Sequence, residues 1–363
     1  MSFIIPESLS QKVVMTGVEY RNNHPGGISA VVQYWSKYIE KLQFYPTFRE
    51  GSKITKLLVF GKSYMRLCFR LLFDRKVEIV HVHTAAGSDF KRAAKIVELA
   101  KYFNKKVLLH SHASQFKVFY SKADRTTQQW IINILRKADV LIALSESWKE
   151  WFTQIGVNPS KITILHNITA YPQVMNPNCK AQSPVRFLFL GEIGQRKGVF
   201  DVIRALTIHK ADLEGKIVLR IGGNKNEEQL LSAIKAGGLE KMVSFEGFAI
   251  GDKKIELLNW ADVYILPSFN EGLPISILEA MSYSMPIIAT PVGGVPEVVD
   301  NKNGKIVTPG NEEEIFNAMK FYVENIDQIE LQGKESYKKV ETYLPDYVLN
   351  HLKQIYESLI NRK

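Results

Sequence analysis

The sequence has little cysteine, no long uncharged apolar run and no low-complexity tract. Cys68 and Cys179 are the only cysteines among 363 residues. They lie far apart and match neither a metal-ligand nor a disulfide spacing, so a disulfide scaffold is excluded and a reducing cytoplasm is expected. No window of 18 residues is apolar and free of charge, which argues against a membrane-spanning helix. The opening stretch Met1-Ser-Phe-Ile-Ile-Pro lacks a basic start, an apolar run and a small-residue cleavage site, so no signal peptide is expected. Zinc-finger spacings and RNA-binding aromatic motifs are also absent, so nucleic acid is not an expected partner.

What is present is a globular composition, 45% hydrophobic and 23% charged. The length suits two domains, each with its own core. The net charge of +10 is unevenly spread: residues 1–170 hold 25 Lys and Arg against 12 Asp and Glu, and the rest hold 22 against 25. A basic surface of this kind attracts anionic lipid or a phosphorylated substrate, or is simply solvated.

Short β-branched or leucine-rich runs alternate with helical stretches. In the first half strands are expected near Lys12–Gly17, Val77–His83, Lys106–Ser111, Asp139–Leu144 and Lys161–His166, with a helix over Ile28–Leu42. In the second half they are expected near Val185–Gly191, Lys216–Gly222, Val243–Glu246, Asp262–Pro267, Pro286–Thr290 and Lys305–Val307. Continuous apolar strands between helices read as parallel sheets covered on both faces, a doubly wound α/β arrangement. The stretch 171–184, with Pro172, Pro177 and Pro184, reads as a linker between domains at 1–170 and 185–342. A helix at about 343–363 is expected to pack back on the first domain. Open α/β sheets bind ligands beyond the carboxyl ends of their strands, and two facing domains would form a cleft between them.

Two segments carry chemistry. After the strand ending at Pro267 comes Ser268-Phe-Asn-Glu271-Gly272-Leu273-Pro274-Ile275-Ser-Ile-Leu-Glu279. Pro274 suits the first turn of a helix, which places Glu271 just before the helix and Glu279 about two turns inside it. Backbone N–H groups of Gly272, Leu273 and Ile275 at such a helix start suit a diphosphate. The second segment, Gly191-Glu-Ile-Gly194-Gln-Arg196-Lys197-Gly198, closes a strand with glycines that admit a ligand close to the backbone and cations that complement phosphate.

Together these segments resemble the signature of the retaining glycosyltransferases of family 4 (group 1 glycosyltransferases), whose fold is GT-B, two Rossmann-like domains facing across a cleft. The resemblance extends through Thr290-Pro-Val-Gly-Gly-Val-Pro-Glu297 and Gly304, and is looser in the first half, at Gly26-Gly27, His81-Val-His83 and His110-Ser-His112. It implies a hexose transferred from a UDP- or GDP-sugar to a glycan or lipid-linked acceptor, in bacterial surface polysaccharide synthesis. Glu271 is then expected on the sugar hydroxyls, Glu279 on the ribose, and Arg196 and Lys197 on the diphosphate. Gly194 belongs to the same loop, and Gly247 and Phe248 are expected beside the base. Gly26 and Gly27 would border phosphate or acceptor, with a flexible connection as the plain alternative. His112 is expected over the donor sugar, while His81, His83 and His110 read as structural.

Asp-x-Asp occurs nowhere in the chain, so metal-assisted departure of the leaving group is not expected, and no cofactor is expected either. Glu271 should position the donor rather than attack it. Residues Ile54–Arg75 mix apolar groups with Lys56, Lys62, Arg66, Arg70 and Arg75. That pattern fits a helix lying on anionic lipid, or an ordinary sheet-flanking helix with its charged face in water. A non-transferring nucleotide-sugar enzyme, such as an epimerase or hydrolase, and a nucleotide-sugar binding protein are the alternatives in function.

Overall fold

A computed structural model describes residues 3–21, 26–112, 114–173 and 183–361. Cys179 and most of the expected linker, residues 174–182, lie outside the described residues. The chain forms two compact units, one of Met1–Ile168 with Pro345–Lys363 and one of Thr169–Leu344.

Unit 1 holds β1 (Val13–Val18), β2 (Phe44–Phe48), β3 (Ile79–Thr84), β4 (Lys106–Ser111), β5 (Val140–Ala143) and β6 (Ile162–Ile164). They are ordered β2-β1-β3-β4-β5-β6, and every pairing is parallel. The four central strands are nearly continuous Val, Ile and Leu, as burial on both faces requires. Val80, Val82, Leu109 and Leu141 are buried beside Phe90 and Ile131 from the covering helices. β2 was not expected from the sequence, because Pro46 interrupts Phe-Tyr-Pro-Thr-Phe. A proline is tolerated here because β2 is an edge strand. The helix expected over Ile28–Leu42 spans only Gly27–Trp35, and the chain then turns through Tyr38 to reach the edge.

The last helix, Pro345–Asn361, belongs to unit 1. Its apolar stripe of Val348, Leu349, Leu352, Tyr356 and Leu359 is buried there.

Unit 2 holds β7 (Val185–Leu190), β8 (Ile217–Gly222), β9 (Val243–Phe245), β10 (Val263–Leu266), β11 (Ile287–Ala289) and β12 (Gly304–Ile306). The order is β12-β11-β10-β7-β8-β9, again all parallel. Counted within the unit this is 6-5-4-1-2-3, the classical dinucleotide-fold order read from its far edge. Its direction of winding reverses between β7 and β10. The loops after those two strands therefore diverge and leave a crevice at their carboxyl ends.

Candidate active site

Both segments singled out in the sequence fall at this reversal. The loop Gly191–Gly198 follows β7, and the loop Pro267–Pro274 follows the adjacent β10. The loops are tied by their backbones, since Phe269 N–H donates to the Arg196 carbonyl at 2.8 Å. Gly198 sits at φ 73°, and a Cβ there would fall 2.0 Å from the Pro267 carbonyl oxygen. Only glycine permits that approach. Gly293 does the same for the loop after β11: at φ 59°, a Cβ would meet the Glu271 carbonyl oxygen at 2.0 Å, while Gly294 N–H donates to Gly272 at 2.6 Å.

Within this frame the Lys197 Nζ donates to Glu271 Oε1 at 2.5 Å, and the Ser268 hydroxyl donates to the same oxygen at 2.7 Å. Glu271 is only 6% exposed. A buried carboxylate requires such partners. The pair leaves Oε2 of Glu271 without a hydrogen bond among the described residues, an acceptor suited to a ligand hydroxyl. Arg196 lies beside it, its Nη1 3.4 Å from the Asn270 carbonyl oxygen and its Nη2 3.7 Å from Glu192.

The helix that follows β10 runs Ile275–Ser282, with Pro274 at the N-cap and no side chain capping the first turn. Pro274 thus precedes the helix rather than occupying its first turn, and Glu279 lies just over one turn inside rather than two. The extended ψ of 122° holds Pro274 outside the helix, and at 3.6 residues per turn Glu279 would lie under one and a half turns in even if the helix began at Pro274. The uncapped N–H groups at this start retain their capacity for an anion. Glu279 is buried, and its Oε1 accepts from Lys254 Nζ at 2.5 Å. Lys254, on the helix Gly251–Trp260, was not singled out from the sequence. Its partner lies 25 residues away, so no local motif marks the pair.

Gly194 stands at the N-cap of the short turn Gln195–Lys197. Gly247, at φ 71°, accepts from Gly223 N–H at 2.8 Å, and Phe248 next to it is 45% exposed. Unit 2 therefore brings Arg196, Lys197, Glu271, Gly272, Leu273, Pro274, Ile275 and Glu279 together on adjacent loops and one helix, with Gly194 on the first loop and Gly247 and Phe248 at the end of β9.

Gly26, Gly27 and His112 belong to unit 1. Gly26, at φ 129°, caps the helix Gly27–Trp35 after β1, and among the described residues none beyond the adjoining chain lies within 4 Å of where either glycine's Cβ would stand. The winding of unit 1 reverses at β1, so this turn also lies at a crevice position. His112 directly follows β4.

The register pairs His83 with His110 across β3 and β4, and strand alternation puts His81, His83, His110 and His112 on one face. The rings pack together: His81 stacks on His83 with centroids 4.4 Å apart, His110 lies tilted against His112 at 3.9 Å, and His81, His83 and His110 flank Trp35. Hydrogen bonds link His83 Nδ1 to His112 Nε2 at 2.9 Å, His81 Nε2 to His110 Nδ1 at 3.3 Å, and His81 Nδ1 to the Tyr356 hydroxyl at 2.7 Å. Burial pushes His81, His83 and His110 well below the usual imidazole value, helped by their histidine neighbours. Burial also lowers His112 to about 3, against an opposing contribution from the Asn167 side chain. All four are therefore neutral near pH 7.

His81, His83 and His110 bring nitrogens within 4.8 Å of one another. Two of those nitrogens, His81 Nε2 and His110 Nδ1, are engaged with each other at 3.3 Å.

Two mutually supporting loops at the winding reversal of a parallel sheet, with cations, buried carboxylates and an open helix start, define a Rossmann-like unit with a candidate ligand site. Solved structures of closely similar fold are GT-B glycosyltransferases. Sucrose-phosphate synthase from Thermosynechococcus elongatus superposes with a TM-score of 0.78 over 99% of this chain and 100% of that one, at 17% identity. HepE from Anabaena, solved with UDP and glucose, gives 0.71 over 96% and 99%, at 16% identity.

Two family models cover almost all of the chain: Glycosyltransferase Family 4 over residues 26–169, and Glycosyl transferases group 1 over residues 173–339. The chain belongs to the group 1 glycosyltransferases, family 4. Among curated relatives, an uncharacterized glycosyltransferase of Methanocaldococcus jannaschii is 26% identical over 88% of this chain and 85% of its own. The amylovoran biosynthesis glycosyltransferase AmsK of Erwinia amylovora is 27% identical over 48% of this chain and 44% of its own. This chain thus spans under half the length of that relative.

Proposed function

We propose that this glycosyltransferase transfers a hexose from a UDP- or GDP-sugar, with retention of anomeric configuration, to a glycan or lipid-linked acceptor. The setting we infer is bacterial surface polysaccharide synthesis, in the cytoplasm. Unit 2 takes the donor and unit 1 the acceptor. The observation that carries this reading is the buried Lys197–Glu271–Ser268 cluster beside Arg196 and an uncapped helix start. Support for the setting comes from AmsK, named for amylovoran biosynthesis. HepE, solved with UDP and glucose, supports a UDP-sugar.

In the proposed reaction the acceptor oxygen attacks the anomeric carbon on the face from which the diphosphate departs. The C–O bond to the diphosphate breaks ahead of the new one, and the departing phosphate takes the acceptor's proton. Arg196, Lys197 and the helix-start N–H groups stabilise the charge growing on that phosphate, and no metal is needed. The free oxygen of Glu271 accepts from a sugar hydroxyl, Glu279 from the ribose, and Gly247 and Phe248 border the base. Gly26 and Gly27 admit phosphate or acceptor to the backbone. His112, neutral, lies over the sugar.

The test is a thermal-shift screen against UDP, GDP and ADP and their sugars, followed by an assay of released nucleoside diphosphate with and without glycan acceptors. A ligand that binds the native state raises its apparent stability. Release that requires acceptor supports transfer. Release that ignores acceptor indicates a hydrolase, an isomerised sugar still on its nucleotide indicates an epimerase, and binding without turnover indicates a binding protein.

A further inference from the structure

The helix Lys53–Phe73 does not look like an ordinary cover for a sheet. Its inner face is apolar, with Leu67 and Leu71 buried against the core of unit 1 and Phe60 and Tyr64 packed beside them. Its outer face is apolar as well. Ile54, Leu57, Leu58, Met65, Phe69 and Phe73 are 54–74% exposed. At 3.6 residues per turn they form one contiguous arc of roughly 160° along the helix. The outer face is therefore mostly apolar rather than charged.

Lys62 lies just inside one margin of the arc and Arg66 just outside it, Lys53 begins the helix, and Lys53–Phe73 contains no acidic residue. Soluble surfaces seldom leave an apolar patch of this extent uncovered. A second copy would bring the cationic border of one helix against that of the other, with no carboxylate on the helix to answer it. An anionic bilayer satisfies both features, since its acyl boundary takes the arc and its phosphates take the border.

A groove beside the arc repeats that chemistry. It encloses about 430 Å³ and is lined by Tyr45, Arg66, Phe69, Arg70, Phe73 and Asp74. Arg70 is already held by Gln43 at 2.9 Å and Asp74 at 2.7 Å. Arg66 lies over the Tyr45 ring, 5.7 Å from its centroid, and pairs with no carboxylate among the described residues. Its guanidinium is free for a phosphate.

We propose that the helix Lys53–Phe73 seats unit 1 on an anionic phospholipid bilayer. The arc lies in the acyl boundary, and Lys62 and Arg66 lie against the lipid phosphates. Only the benefit to a lipid-linked acceptor rests on the transfer reading above, because binding requires no turnover.

The experiment is co-sedimentation of the full chain with phosphatidylcholine vesicles, with and without phosphatidylglycerol. Binding is expected to the anionic vesicles alone and to fall as salt is raised. Neutralising the border with Lys62→Gln and Arg66→Gln should weaken it about 30-fold. Leu58→Glu with Phe69→Glu should abolish it, while thermal unfolding and transfer to a soluble acceptor stay as in the parent. Absence of sedimentation, equal binding to neutral vesicles, or unchanged binding by either double variant would overturn the proposal. So would sedimentation equilibrium finding a dimer that Leu58→Glu with Phe69→Glu dissolves, which would assign the face to self-association. Failure of donor binding in the thermal-shift screen, with vesicle binding intact, would count against the transfer reading and leave this one standing.

Discussion

The two units end their parallel sheets in opposite ways. In unit 2 the crevice after β7 and β10 is built from charge, with Lys197 on Glu271 and Lys254 on Glu279. In unit 1 the face at the carboxyl ends of β3 and β4 is built from four imidazoles that burial keeps uncharged. Charge can be held at a crevice when each ion has a partner and helix-start dipoles face it. Imidazoles packed on Trp35 have no such support, so they give up their protons instead. One crevice is lined by paired charges, and the other sheet face by buried neutral imidazoles.

The largest expected effect would break this contrast if absent. Each buried imidazole has its folded pKa below its unfolded one, so in acid the unfolded chain takes up protons first. The stability they contribute is full above pH about 6.5 and is lost as pH falls toward the folded values. His81, His83 and His110, which burial and their histidine neighbours hold well below the ordinary value, carry most of this loss. Pulsed hydrogen exchange on the full chain should find β3 and β4 opening in acid well before β7 and β10. Simultaneous opening would show that the two ends are not different in kind.

Next in size are the donor-site changes. Lys197→Ala and Glu279→Gln should each slow transfer by ~10²-fold or more, the scale of one lost electrostatic stabiliser. Near-normal rates in both variants would dismantle the site assignment. Gly198→Ala should then cost about 3 kcal/mol in urea unfolding, because its Cβ would meet the Pro267 carbonyl. Gly26→Ala, whose Cβ meets no neighbour among the described residues, should cost only about 1 kcal/mol from its backbone conformation. Equal costs would mean that the loops of unit 2 are not as tightly joined as their geometry indicates.

Tyr356→Phe removes one hydrogen bond to His81 and should cost about 1 kcal/mol. The smallest expected effect is none. EDTA should leave transfer unchanged, and a loss restored by Mn²⁺ or Mg²⁺ would overturn the metal-free proposal.

Much of unit 2 was legible in the sequence because its chemistry is local. Arg196 and Lys197 sit in one loop, and Glu271 and Glu279 are eight residues apart around one helix start. The apolar runs also gave eleven of the twelve strands among the described residues. Lys254 escaped notice because its pairing with Glu279 exists only once its helix is folded against the other. β2 escaped because Pro46 masks a strand that needs no ladder on its outer side. In unit 1, alternation put His110 and His112 on one face, but their stacking on His81 and His83 follows from the β3–β4 register, which no run of residues records. The double apolar character of Lys53–Phe73 was visible as composition, yet which face is buried depends on the sheet beneath it.

The return of the chain at Pro345 has a consequence for synthesis. Unit 2 is contiguous, from Thr169 to Leu344, whereas unit 1 is finished only by the last helix, which supplies Tyr356 to the buried histidines. A chain emerging from the ribosome can therefore complete its second unit before its first. Until the final turns are released, the floor beneath His81 stays open to water. A premature stop near the end would then spare unit 2 and leave its older neighbour permanently unfinished, a fault that quality-control proteases would meet in the half made first.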